Sequence, residues 1–265
     1  MKIIIPIKQV PETSNVKMDS ETGTMIREGL ASIVNPLDLY AIEIGIQLQE
    51  ETKGAATVIS MGPPAAAAAL KEAIAMGCAD GILLSDRKFA GSDTWATSYT
   101  LARLVKKMGD FDLIICGERA TDGDTGQVGP GLAAWLDIPA VTYVSRLVEN
   151  REASIVVERM VEEGYETLEV EKPCLLTVVK EVAYPRLPTL SGKQRARKSE
   201  IPVWGAAAID ADPACLGLKG SPTRVVKINT PKVTRNGEIV TPGDPRETEA
   251  AVDKLVAYLE KIEIL

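Results

Sequence analysis

Short aliphatic runs alternate with helix-length amphipathic stretches through the first half of the chain. Lys2–Ile7 (KIIIPI), Ala56–Ser60 (ATVIS), Gly81–Ser85 (GILLS) and Asp112–Cys116 (DLIIC) are apolar at successive positions and rich in β-branched residues. Such runs predict strands buried on both faces. Between them, Pro36–Glu50 sets Leu37, Ala41, Ile44 and Leu48 on one helical face, with Asn35 as N-cap and Pro36 at the first helical position. Pro64–Met76 reads as an alanine-rich helix closed by Gly77. Thr94–Lys107 carries Leu101, Leu104 and Val105 inward, with basic residues in its last turn. Strands separated by helices specify an α/β fold: a parallel sheet with helices on both faces, three layers in all.

The pattern changes after Pro139. Val141–Val148, Ser154–Met160, Tyr165–Val170 and Cys174–Lys180 predict successive strands with no room for helices between them, an antiparallel extension of the same sheet. Glu158–Val170 reads as a hairpin around its Glu-Glu-Gly turn. Tyr184–Lys198 (YPRLPTLSGKQRARK) is Pro-rich and then basic, which predicts an excursion over the surface. Residues Trp204–Lys227 read as irregular. A last helix, roughly Arg246–Ile262, places Val252, Leu255, Val256 and Leu259 on one face beyond a Gly- and Pro-punctuated stretch, and so reads as a C-terminal arm. The expected division is a nucleotide-binding α/β domain over 1–200 and an irregular segment with a helical arm over 201–265.

Composition narrows the chemistry. The 265 residues hold 30 Lys+Arg against 37 Asp+Glu, a net charge of −7, which argues against nucleic acid as a partner. Histidine is absent, which removes Ser-His-Asp triads, Cys-His dyads and His-liganded metals together. Cys78, Cys116, Cys174 and Cys215 are widely spaced and read as reduced thiols rather than a metal site or disulfide scaffold. No apolar stretch approaches the ~20 residues of a membrane span, and the N-terminal run is too short for a signal segment. A cytoplasmic protein is expected.

Ligands of parallel sheets bind at the carboxyl ends of the strands, beside free backbone N–H groups of helix N-termini. Four such ends carry unusual residues: Pro6-Ile7-Lys8, Ser60-Met61-Gly62-Pro63, Ser92-Asp93-Thr94, and the turn Gly117–Gly131 (GERATDGDTGQVGPG) with five glycines before a short helix, Leu132–Leu136. The glycines admit close backbone approach, yet the order is neither G-x-G-x-x-G nor a P-loop. Asp122 and Asp124 would repel a phosphate, and suit ribose hydroxyls or turn formation. Thr125, Gly126, Gln127 and Val128 are left to contact a phosphate or diphosphate. The missing Walker-type lysine disfavours an ATP-using enzyme.

Several of these segments, in order, resemble the β subunit of electron transfer flavoproteins. They are Asn35-Pro36-x-Asp38, Ser60-x-Gly62-Pro63, Cys116-Gly-x-x-Ala120-x-Asp122-x-Asp124-x-Gly126-Gln127-x-Gly129-Pro130, Glu163-Gly164-x-Glu166 through Val178, and Pro185-Arg186-Leu187-Pro188-Thr189-Leu190. The resemblance implies an adenine-nucleotide-binding subunit that pairs with an α subunit carrying its own FAD. In housekeeping members this subunit holds AMP as a structural ligand. In electron-bifurcating members it holds a second FAD, reduced by NADH, with ferredoxin or flavodoxin as low-potential acceptor. The wording Asn35-Pro-Leu-Asp38-x-Tyr40-Ala41 and Asp93-Thr94-x-Ala96-Thr97, with Gly126 and Val128 in place of bulkier residues, leans to the bifurcating group. The implied cofactor site comprises Pro6, Ile7, Lys8, Asn35, Asp38, Ser60, Met61, Gly62, Thr94, Thr97, Cys116, Ala120, Asp122, Asp124, Thr125, Gly126, Gln127 and Val128. The resemblance also makes 184–198 a recognition loop for an acyl-CoA dehydrogenase, with Leu187 and Leu190 as apolar contacts and Lys193, Arg195 and Arg197 as steering cations.

Overall fold

A computed structural model describes residues 1–12, 32–226 and 237–264. They order as β1 (Lys2–Pro6), β2 (Gln9–Pro11), β3 (Ser32–Val34), α1 (Asp38–Thr52), β4 (Ala55–Met61), α2 (Ala67–Met76), β5 (Asp80–Leu84), α3 (Thr94–Met108), β6 (Leu113–Gly117) and α4 (Val128–Leu136). There follow β7 (Ala140–Asn150), β8 (Ser154–Val161), β9 (Gly164–Glu171), β10 (Cys174–Val178), α5 (Leu190–Lys198), β11 (Val203–Trp204), α6 (Gly217–Gly220) and α7 (Pro245–Lys261). Among the described residues, nine strands form one sheet in the order β11-β5-β4-β1-β6-β10-β7-β8-β9, parallel from β11 to β7 and antiparallel beyond. The α/β, three-layer reading of the sequence holds.

The sheet's two faces fill separately. Ile3, Ile5, Val58 and Leu176 meet Ala41, Ile42, Ile46 and Leu70 of α1 and α2 on one side. Ile4, Ile59, Ile114 and Leu175 meet Leu101, Leu104, Val105, Leu132 and Ala133 of α3 and α4 on the other. Every second residue of each central strand therefore serves a different layer, which is why these strands are apolar throughout.

Four details differ from the sequence expectation. Cys174–Val178 is not an antiparallel strand: it runs parallel between β6 and β7, with Cys174 beside Leu113 and Leu175 beside both Ile114 and Ala140. All five of its residues are buried, as an interior position demands. The first helix begins at Asp38 rather than Pro36, and Leu37, not Asn35, stands at its N-cap position without a side-chain bond. The helix after the glycine turn begins at Val128 instead of Leu132. Leu190–Lys198 is a helix, capped by Thr189 Oγ1 accepting from the Gly192 N–H at 3.0 Å, so only the first part of 184–198 is irregular.

Met1–Val226 forms one compact unit and Lys227–Leu265 a second. Segment 201–226, expected with the arm, lies in the first unit, where Val203 and Trp204 extend the sheet beside Leu83 and Leu84. In the second unit α7 is capped by Asp244, whose Oδ1 accepts from the Arg246 and Glu247 N–H groups at 2.8 and 2.9 Å. Among the described residues no helix is long and apolar enough to cross a membrane.

Candidate functional site

Parallel pairing brings the carboxyl ends of β4, β1 and β6 to one rim, and the loop 117–127 lies across it. The loop is tied down by Asn35. This buried side chain donates through Nδ2 to Asp38 Oδ1 and to the Arg119 carbonyl, both at 2.9 Å, and accepts from the Thr121 N–H at 3.1 Å. Asp38, at the head of α1, accepts from the Lys8 N–H at 2.7 Å, and the Asn35 N–H donates to the Lys8 carbonyl at 2.8 Å. Lys8, Asn35 and Asp38 thus join the end of β1, the head of α1 and the loop. Burial pushes the Asp38 carboxyl up to about 7, against the lowering bonds from Asn35 and the Lys8 amide.

The two loop aspartates are paired within the chain. Lys8 Nζ lies 2.6 Å from Asp122 Oδ1, and Arg119 Nε 3.0 Å from Asp124 Oδ1. A turn follows, with the Asp124 N–H donating to the Ala120 carbonyl at 2.8 Å, and Asp124 and Gly126 adopt left-handed backbone at φ 53° and 62°. Gly117 passes so close to α1 that a Cβ there would come within 2.5 Å of Asp38 Oδ1.

Of the two helices that open here on the α3–α4 face, α3 is capped: Asp93 Oδ1 accepts from the Ala96 N–H at 3.0 Å. The amino end of α4 has no side-chain cap. Its first-turn donors are therefore left available to an anion. Thr94 and Gln127 meet across the two helix starts, Oγ1 to Oε1 at 3.2 Å, while Thr97 is one turn inside α3. At the end of β4, Ser60 is buried and its Oγ has no hydrogen-bond partner among the described residues. An orphaned hydroxyl at a strand end suits a polar ligand atom. Met61 is half-buried beside it, and the Gly62 N–H is already bonded to the Leu84 carbonyl at 3.0 Å. Pro6 and Ile7 are buried, the latter donating to the Ile59 carbonyl at 2.8 Å. Burial, and secondarily Asp38, raise the Cys116 thiol above its ordinary range, so it packs rather than reacts.

The rim thus fits a nucleotide: an uncapped helix end, a glycine-lined loop with its own acids neutralised, and an unsatisfied hydroxyl. Thr125, Gly126, Gln127 and Val128 stand at the helix end, and Ala120 at the turn. Asn35 and Asp38 use their polar atoms to hold the loop. Arg119 and the Thr121 N–H, which complete that hold, have no pattern in the sequence that singles them out.

Segment 184–198 is separate from this rim. Tyr184, Leu187 and Leu190 are 96%, 85% and 83% exposed. Lys193, Arg195 and Arg197 are all exposed, and the Arg195 Nη2 also donates to the Ile74 and Cys78 carbonyls at 2.7 and 2.8 Å, closing the end of α2. Arg186, between the two prolines, is bound to Glu43 and Glu50 of α1. Glu43 was legible only as a charge inside the apolar run Ala41–Ile46.

Fold and rim define a parallel-sheet α/β protein with a candidate ligand edge. The family model for the electron transfer flavoprotein domain matches residues 22–209. The chain is 47% identical to an electron transfer flavoprotein subunit beta of Thermoanaerobacterium thermosaccharolyticum over 266 aligned positions, covering 100% of each chain. It is 45% identical to the caffeyl-CoA reductase-Etf complex subunit CarD of Acetobacterium woodii, over 91% of this chain and 92% of that one. With the acryloyl-CoA reductase electron transfer subunit gamma of Anaerotignum propionicum it shares 41% identity, over 97% and 98%. The chain belongs to the electron transfer flavoprotein family, on the β-subunit side.

Proposed function

We propose that this chain, paired with an α subunit in a cytoplasmic heterodimer, carries electrons from NADH to an acyl-CoA dehydrogenase and to a low-potential acceptor, ferredoxin or flavodoxin. In this reading the rim holds FAD, and transfer proceeds by flavin-based bifurcation. The observation that carries it is the uncapped amino end of α4 behind a loop whose acids are already paired, with Gly126 and Val128 among the residues beside it. Such small residues leave room for a ligand longer than a mononucleotide. Pro6–Lys8, Ser60–Gly62 and Ala120–Val128 would hold adenosine and diphosphate. When bound, FAD would supply hydride acceptance and one-electron release, and the chain's own part is to seat and orient it. Two relatives that span nearly the whole chain are named as subunits of CoA-reductase systems, which supports an acyl-CoA-linked partner. The segment 184–198 is its docking element, with Leu190 as anchor and Lys193, Arg195 and Arg197 as steering cations.

Counting nucleotides in the purified heterodimer tests the reading. Two FAD per heterodimer are expected. One FAD and one AMP would replace it with the reading in which this chain holds AMP as a structural prop and electrons pass through the α-subunit flavin alone.

A further inference from the structure

The docking segment is irregular where it is most exposed, and something must hold it. Residues 183–188 lie between the short 3₁₀ turn Lys180–Val182 and the N-cap Thr189. Pro185 and Pro188 restrict the residues before them, Tyr184 and Leu187, to extended backbone, but they donate no hydrogen bonds. Among the described residues, every hydrogen bond from 183–188 to the rest of the chain runs through Arg186. Its backbone N–H and its Nε donate to Glu43 Oε2 at 3.0 and 2.9 Å, and Nη2 donates to Glu43 Oε1 at 3.0 Å. On the outer side Nη1 and Nη2 reach Glu50 Oε1 and Oε2 at 2.6 and 3.1 Å.

Glu43 and Glu50 stand two turns apart on one face of α1, with Gln47 between them donating to Glu43 Oε1 at 2.8 Å. The two halves of the clamp differ in kind. The Glu43 side chain is 4% exposed, whereas that of Glu50 faces water. Burial pushes the Glu43 carboxyl up, and the bonds from Arg186 and Gln47 outweigh it, leaving its pKa below the ordinary value. A carboxylate so buried is costly without its cation, so the inner contact is demanded while the outer one is optional. Only a planar fork can serve both acids at once.

We infer that Arg186 is the positioning residue of the docking segment: its clamp on Glu43 and Glu50 presents Tyr184 and Leu187, beside Leu190 of α5, to a partner already ordered. This rests on the docking role proposed above. Ordering a flexible segment at the moment of contact lowers affinity, so a preset clamp tightens docking without touching electron transfer itself.

The test compares Arg186→Met, Arg186→Lys, Glu50→Gln and Leu190→Ala in the intact heterodimer. Electron delivery is measured across partner-dehydrogenase concentration, with flavin content and thermal melting recorded alongside. Arg186→Met is expected to raise KM for the dehydrogenase about tenfold, with kcat within about twofold and flavin content unchanged. Arg186→Lys should recover part of that loss, and Glu50→Gln should change KM less than about threefold. An unchanged KM in Arg186→Met, while Leu190→Ala raises it, overturns the positioning role and leaves docking standing. An inert Leu190→Ala removes the docking reading and this inference with it. Parallel loss of flavin, kcat and KM in both Arg186 variants shows a merely structural arginine and overturns the inference. Should Arg186→Met fail to fold, Arg186→Gln takes its place, and a wild-type KM there overturns it equally.

Discussion

At Gly126 the constraint is conformational rather than spatial. A Cβ there would meet only the Glu118 carbonyl, at 3.5 Å, but φ is +62°. A side chain in that backbone costs about 1–2 kcal/mol, and a large one would also stand over the amino end of α4. Gly126→Leu is therefore expected to fold and yet lose its nucleotide on desalting. Full nucleotide retention would put the ligand elsewhere. Asp38 sets a pH dependence. With no histidine in the chain, it is the described side chain that ionises near neutrality. Its folded pKa of about 7 lies above the ordinary 3.8, so between these values the native state keeps a proton that the unfolded chain has released. Stability from this group is full below about pH 4, declines as pH rises to about 7, and is level above. Melting temperature against pH should show that decline, and Asp38→Asn should flatten it. A slope left intact in the variant would assign it to another group.

The α5 element shows how the proposed docking segment is built. Gly192 allows α5 to press against α2: a Cβ there would lie 2.1 Å from the Ala75 carbonyl oxygen. Ala196 packs with Ile74 and Ala75 beneath it. Leu190, first residue of the helix, points away from that contact and stays in water. Burying such a side chain on docking is worth about 1.5–3 kcal/mol. Leu190→Ala should slow electron delivery to the partner dehydrogenase at least about tenfold, the effect of ~1.4 kcal/mol, with flavin content and reduction by NADH unchanged. Loss of flavin instead would contradict its surface role. Elements of this kind were partly legible in the sequence. The central strands were readable to within a residue or so because both faces are buried and the apolar run has no gaps. The place of β10 was not, since local pattern identifies a strand but not its neighbours, although five successive apolar or small residues do fit an interior position. The start of α4 was hidden by Gly129-Pro130-Gly131, poor helix formers that fit because Gly129 rests on Thr177 and Gly131 on Ser98. The glycine loop could be read as a ligand edge, but its ties to Asn35, through the Arg119 carbonyl and the Thr121 N–H, span more than 80 residues and leave no periodic trace.

At the scale of the whole molecule, the two units differ in what they bury. The unit Met1–Val226 contains the entire sheet and both cores, and with them every residue of the candidate rim. In the unit Lys227–Leu265, α7 buries none of its residues, and Val252, Leu255, Val256, Tyr258 and Ile262 are all exposed. A capped helix of 17 residues with an apolar stripe gains little from standing alone in water. Several such side chains together exceed what a monomer leaves uncovered without use. We take the α subunit as the surface that covers them, since pairing with it is the assembly proposed for this chain. Each side chain contributes about 1.5–3 kcal/mol if fully buried, so losing the stripe should weaken the heterodimer at least about a hundredfold, or ~2.7 kcal/mol. Ending the chain after Thr241 removes α7 and its cap and leaves the first unit whole. Co-expressed with the α subunit, the shortened chain should accumulate folded, melt close to the full-length chain, and separate from its partner on dilution. Stoichiometric co-purification with unchanged affinity would show that the sheet unit alone makes the contact, and that the stripe on α7 has another use.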